Sequence, residues 1–251
     1  MLVLTILASF FYILWLVPKH KFGWSWIAGI IASLFHTVIC FYQIIGEDGW
    51  ILNINNSVLL VALLSVLVVI VYKISSRFVK IPLVLFTILA LIFILFYPEL
   101  HHTGKKFTWQ LDLHISLSML AYSLLSVATL FAVSLWVQIK RLKNSSLLII
   151  NNPISILDEE KKLFQLVLLG WLTLTASLLS GAIFITDFLE KSLGHKITFS
   201  ILAWIVFGVI IFGRLTKGWR GEKLISLVIL GMVLLATGYL GSKIVLEYLI
   251  N

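Results

Sequence analysis

Cysteine is almost absent from the 251-residue chain, where Cys40 stands alone. A lone thiol excludes a disulfide scaffold, a CxxC redox pair and a thiolate-held metal cluster. Four prolines leave no room for a proline-rich linker or a collagen-like chain. Charge is the third shortage: charged residues make up 12% of the chain, against about 25% in a soluble domain. GxSxG, the phosphate-cradling GxxxxGKS/T, GxGxxG and HExxH are all missing, so the chemistries they carry have no foothold. Carboxylates suited to a proton or sodium relay are scarce, because Glu47, Asp48, Glu99, Asp112, Asp187 and Glu190 fall at or near the ends of apolar segments. No catalytic motif is found, and the chain does not read as an enzyme.

What is present is apolar: 61% of residues are hydrophobic and the mean hydropathy is +1.09. A single soluble domain and a disordered chain are both excluded by that surplus. A bilayer core asks for about 20 mostly apolar residues per helix. Eight stretches qualify or nearly so: 1–17, 24–45, 55–74, 81–97, 113–137, 164–186, 197–213 and 223–242. Even the Val- and Ile-rich run 58–71 should be helical, since an open strand cannot satisfy its backbone in lipid. The longest connection is expected over 138–163, with apolar Leu147 to Ile150 at the membrane interface.

The first segment lacks a basic leader, and Lys19 and Lys21 follow it, which reads as an uncleaved helix with its N-terminus outside. Odd-numbered loops hold fourteen of the nineteen basic residues, so the positive-inside rule places them in the cytoplasm. The expectation is an all-α, polytopic membrane helix bundle of about eight transmembrane helices, a single integral-membrane domain over 1–251 with both termini outside. Its net charge of +8 is accounted for by topology, and nucleic acid is not needed as a partner; the lipid bilayer is.

Polar residues inside such a chain carry the functional signal. His114, Ser118, Tyr122 and Ser126 recur every four residues on the fifth segment, near one helix face. That stripe suits either a site or plain helix–helix hydrogen bonding. His36 lies within the second span, roughly 18 Å from its cytoplasmic start at about 1.5 Å per residue. His101, His102, His114 and His195 fall at the outer face, and His20 is cytoplasmic. Imidazole is the usual nitrogen ligand of haem iron, while a packed or solvated histidine is the plainer alternative. Gly170, Thr173, Ser177 and Gly181, with Gly231, Gly238, Gly241 and Ser242, are assigned to close helix packing. Trp24, Trp26, Trp50, Trp109 and Trp219 suit an interfacial belt.

Several motifs resemble one known family. Leu111-Asp112-Leu113-His114-Ile115-Ser116-Leu117 with Ala121-Tyr122, then Ile156-Leu157-Asp158 and Leu163 to Gly181, then Arg214-Leu215-Thr216-Lys217-Gly218-Trp219-Arg220-Gly221 and Gly238-Tyr239-Leu240-Gly241, follow in order. They resemble the cytochrome c assembly membrane proteins of the CcsA, CcmC and HemX type, and Ile201 to Trp204 is most like a bacterial inner-membrane branch of it. The resemblance implies that family's fold, haem handling, and a place in cytochrome c maturation beside haem-handling or assembly proteins. It also implies departures: Thr186 to Lys196 carries no tryptophan where haem-delivering members have a WWD segment. Phe212-Gly213 stands where they have a transmembrane histidine, and Ser242 to Asn251 lacks their last outer one. The expected cofactor is therefore haem b, with His114 as one axial ligand of the iron, His36 as the second, and His102 or His101 as the substitute. Tyr122 and Ser118 are expected to hydrogen-bond around it. A structural partner of another membrane protein, or a small-solute transporter using the helix-five stripe, are the alternatives.

Overall fold

The computed structural model describes residues 1–17, 24–46, 49–51, 54–96, 108–144, 153–184 and 194–238. His20, His101, His102 and Leu147 to Ile150 lie outside the described residues. Eight helices follow in order: α1 (Leu2–Trp15), α2 (Ser25–Ile44), α3 (Ile54–Val71), α4 (Arg77–Phe96), α5 (Trp109–Asn144), α6 (Pro153–Phe184), α7 (Gly194–Lys217) and α8 (Glu222–Ala236). Five of them, α2, α4, α5, α6 and α7, are long and apolar enough to cross a membrane. The protein is an all-α polytopic membrane bundle, with one two-stranded hairpin between α2 and α3. There β1 (Ile45–Gly46) pairs antiparallel with β2 (Gly49–Trp50).

Several expected boundaries differ from the structure. The connection anticipated over 138–163 is largely helix, because α5 continues to Asn144 and α6 begins at Pro153. Gln138, Lys140 and Arg141 favour helix, so leaving an apolar environment does not end α5. By contrast, α1 and α3 end before the spans expected for them, at Trp15 and Val71. Lys80, expected in a loop, lies in the second turn of α4, and His195 falls at the start of α7 rather than before it.

The chain divides into two compact units, Met1–Asp112 and Leu113–Asn251. In unit 1, α1 packs on α2, α2 on α3, α3 on α4 and α4 on α1. The core includes Tyr12, Trp15, Ile39, Leu59 and Leu91, all nearly sealed from solvent. Gly29 is what lets α1 and α2 approach, since a Cβ there would meet the Trp15 ring at 2.9 Å. Lys80 is buried as well, with its Nζ 4.7 Å from the Trp15 ring centroid and 4.4 Å from that of Trp26. That double cation–π contact joins three helices at one end of the unit.

In unit 2, α6 packs on α7 and α7 on α8. Gly170 and Gly231 do admit close approach: a Cβ would meet Leu125 at 2.6 Å and Phe207 at 2.7 Å, respectively. Gly218, with φ +62°, stops α7, its N–H donating to the Arg214 carbonyl at 3.1 Å. This is the left-handed cap that glycine adopts without penalty. Arg214 pairs with Glu160 of α6 at 2.7 Å, and the Gly221 N–H approaches the same carboxylate oxygen at 3.4 Å. Arg214 also donates to the Trp219 carbonyl at 3.3 Å. The Arg214-to-Gly221 motif is thus a folded turn anchored on α6.

Candidate functional site

The site is built on the N-terminal end of α5. Thr108 accepts the first backbone hydrogen bonds of that helix, from Leu111 and Asp112, and Asp112 in the first turn complements the helix dipole. Two residues later comes His114, half-buried. Its Nδ1 lies 2.9 Å from the Ser177 carbonyl oxygen and 3.3 Å from Ser180 Oγ, both on α6. A carbonyl oxygen can only accept, so Nδ1 carries the proton. In the neutral ring Nε2 then holds the lone pair. That tautomer, fixed by a hydrogen bond on the far nitrogen, is the arrangement in which histidine ligates metals.

Ser118 completes the join. Its hydroxyl donates to the His114 carbonyl at 2.8 Å and lies 2.7 Å from Ser177 Oγ. Ser180 donates to the Ser177 carbonyl at 2.8 Å, so that oxygen accepts from both Ser180 and His114. A second α6 contact holds the helix from its other side. Trp171 and Trp204 stack with ring centroids 5.7 Å apart, Trp171 Nε1 donates to the Trp204 carbonyl, and Trp204 Nε1 donates to Thr175 Oγ1 at 2.8 Å.

His36 sits in unit 1 and is sealed at 0% exposure. Its Nδ1 is 3.0 Å from Tyr12 Oη, with the two rings nearly perpendicular. The hydroxyl can donate or accept, so this contact does not choose the tautomer. Nε2 is buried and has no hydrogen-bond partner among the described residues, although the Leu59 backbone lies beside the ring. Orphaned buried nitrogens are uncommon and call for a ligand or a water.

Of the residues expected at the site, His114 and Ser118 come together, and Tyr122 follows one turn beyond Ser118 on α5. His36 belongs to the other unit. Ser177, assigned from sequence to packing, and Ser180, not singled out, are the residues that meet the histidine. The three-residue step from Ser177 to Ser180 on an apolar helix was the available signal; a main-chain acceptor leaves none. Among the described residues, no group of three or more His, Cys, Asp or Glu could hold a metal ion by itself.

Comparison with known proteins adds to this geometry. The family model described as cytochrome C assembly protein matches residues 51–250. The inner membrane protein YpjD of Escherichia coli (strain K12) is 29% identical over 231 residues, covering 89% of this chain and 88% of that protein. Cytochrome c biogenesis protein CcsA of Chlamydomonas reinhardtii is 29% identical over 139 residues, covering 55% of this chain and 38% of that one. Its namesake from Synechococcus sp. (strain CC9902) is 23% identical over 158 residues, covering 53% and 52%. No solved structure matches.

Proposed function

The chain belongs to the cytochrome c assembly protein family, and from that premise we propose that it binds haem b in a bacterial inner membrane. There it serves cytochrome c biogenesis as a haem-handling or accessory factor. The observation that carries the reading is the His114 Nδ1 contact with the Ser177 carbonyl, which puts the lone pair of the neutral ring on Nε2. Haem, when bound, would supply an iron that imidazole nitrogens could ligate. His114 is the first of these ligands in our reading. His36, whose Nε2 is buried without a hydrogen-bond partner among the described residues, is the second, with His102 or His101 as the substitute.

The residues of this chain orient and hold. The Ser177 carbonyl fixes the His114 tautomer, Ser180 adds a second polar contact to the same nitrogen, and Ser118 ties the first turns of α5 to α6. Tyr122 is assigned to the same polar face. The proposed orientation puts both termini outside and the Arg214-to-Gly221 turn in the cytoplasm. Seventeen residues of α6 separate Glu160 from Ser177, about 25 Å at 1.5 Å per residue. That is close to the thickness of a hydrocarbon core, so the basic turn and the histidine suit opposite membrane faces.

The test is a visible spectrum of detergent-purified protein from haem-supplemented cells, oxidised and dithionite-reduced. A Soret band with resolved α and β bands on reduction is expected. Colourless protein at every haem supply would overturn the reading in favour of a structural partner of another membrane protein, for which the complete enclosure of His36 is the supporting observation.

A further inference from the structure

One face of α7 carries an open apolar groove that the haem reading does not use. Its volume is about 320 Å³, and it runs from Trp204 past Gly208 and Phe212 to Lys217 and Trp219. Trp204, Gly208 and Phe212 are spaced four apart, so they follow one line along the helix. Gly208 adds no side chain to that line between two large rings, and the Trp171 ring of α6 lies 3.5 Å from where its Cβ would stand. Ile205 and Val209 flank it and are 46% and 44% exposed. At one end the Trp219 ring lies so closely over Gly213 that no Cβ would fit between them.

The same end is cationic. Arg214 is already engaged by Glu160, but Lys217, Arg220 and Lys223 are all exposed, and Lys223 Nζ sits 3.6 Å from the Trp219 ring centroid. Glu222 is the lone carboxylate among residues 213–223. An apolar channel parallel to a membrane-crossing helix, with Trp219 and the exposed Lys217 at its mouth and Arg220 and Lys223 close by in sequence, is complementary to an anionic amphiphile. A partner helix, about 10–12 Å across, is too wide for a groove of this volume. A single acyl chain is not.

We propose that this groove is a binding site for one anionic phospholipid, its acyl chain lying along Gly208 and its phosphate at Lys217 beside Trp219. Anionic lipids of the cytoplasmic leaflet attract juxtamembrane lysines and arginines, and Trp219 is at the level where interfacial tryptophans settle. The site is independent of His114, so its fate does not depend on whether haem is bound.

Delipidated full-length protein, titrated with phosphatidylglycerol or phosphatidylcholine of identical chains and read by native mass spectrometry, tests the proposal. One phosphatidylglycerol should be retained in preference to phosphatidylcholine. Lys217→Ala should weaken phosphatidylglycerol about fivefold, the worth of one lysine at an anionic surface, and leave phosphatidylcholine unchanged. Val209→Trp, which fills the groove without altering charge, should weaken both lipids. Lys161→Glu, at an exposed position on α6, should alter neither. Equal retention of the two lipids by the parent protein, an undiminished preference in Lys217→Ala, or an equal loss in Lys161→Glu would each overturn the proposal. Circular dichroism of every variant confirms that the helices are retained.

Discussion

The two units each enclose a histidine within a membrane helix, and the difference lies in what meets its Nδ1. In unit 1, His36 is fully buried against a tyrosine hydroxyl, which can give or take a proton. In unit 2, His114 is half-buried against a backbone carbonyl, which can only accept. A carbonyl therefore dictates a tautomer where a hydroxyl leaves it open. His114 also lies inside the stretch matched by the family model, residues 51–250, while α1 and α2 with His36 precede it. The tautomer is thus preset in unit 2 and left open in unit 1.

The largest expected effect sets the two histidines against each other. His114→Ala should abolish the haem spectrum. His36→Ala should keep bound haem with a shifted Soret band and altered spin state, because one preset ligand remains. Visible spectra of the two variants at matched protein concentration check this, and the reverse order would move the primary ligand into unit 1.

Next in size is the charged anchor of unit 2, which unit 1 replaces with cation–π contacts. Glu160→Ala leaves Arg214 without its carboxylate in a place where the two side chains are 16% and 11% exposed. Removing one partner of a buried pair costs about 3–5 kcal/mol, and partial exposure puts this case at the lower end. In unit 1 the counterpart is Lys80→Met, which gives up contacts with Trp15 and Trp26 worth about 2 kcal/mol when desolvated, while its apolar stem is preserved. Thermal unfolding in detergent should rank Glu160→Ala as the more damaging; equal losses would show that the two anchors are equivalent. Tyr12→Phe comes below the pair. It leaves His36 Nδ1 buried and unsatisfied, at a cost of about 1–3 kcal/mol, readable in the same melts.

The same contrast explains what the sequence made legible. Apolar run length located each helix among the described residues, because lipid leaves a spanning backbone few alternatives. The Arg214-to-Gly221 motif could be recognised in order, and its structure gives each part a reason: Arg214 for Glu160, Gly218 for its positive φ, and Gly213 for the Trp219 ring. Helix ends were less legible, since α5 carries Lys140 and Arg141 without breaking. The Trp171–Trp204 stack was hidden because neither residue sits at an expected interface. The acceptor for His114 was illegible in principle. Every residue has a carbonyl, and only the packing of α6 on α5 decides which one is presented.

The smallest expected effect follows from that last point and isolates it. Ser177 contributes two oxygens: its carbonyl accepts from His114 and Ser180, while its hydroxyl meets Ser118. Ser177→Ala deletes only the hydroxyl. The net worth of one such hydrogen bond is about 0.5–1.5 kcal/mol, and Ser118 retains its bond to the His114 carbonyl, so unfolding should shift little. The Soret and α band positions should not shift at all, because the group that sets the tautomer is still in place. Ser180→Ala leaves that carbonyl with His114 as a donor and should leave the bands in place too. If Ser177→Ala displaces the spectrum while Ser180→Ala does not, the hydroxyl link to Ser118, rather than the main-chain acceptor, orients the ring; the contrast between a dictated and a permitted tautomer would then disappear.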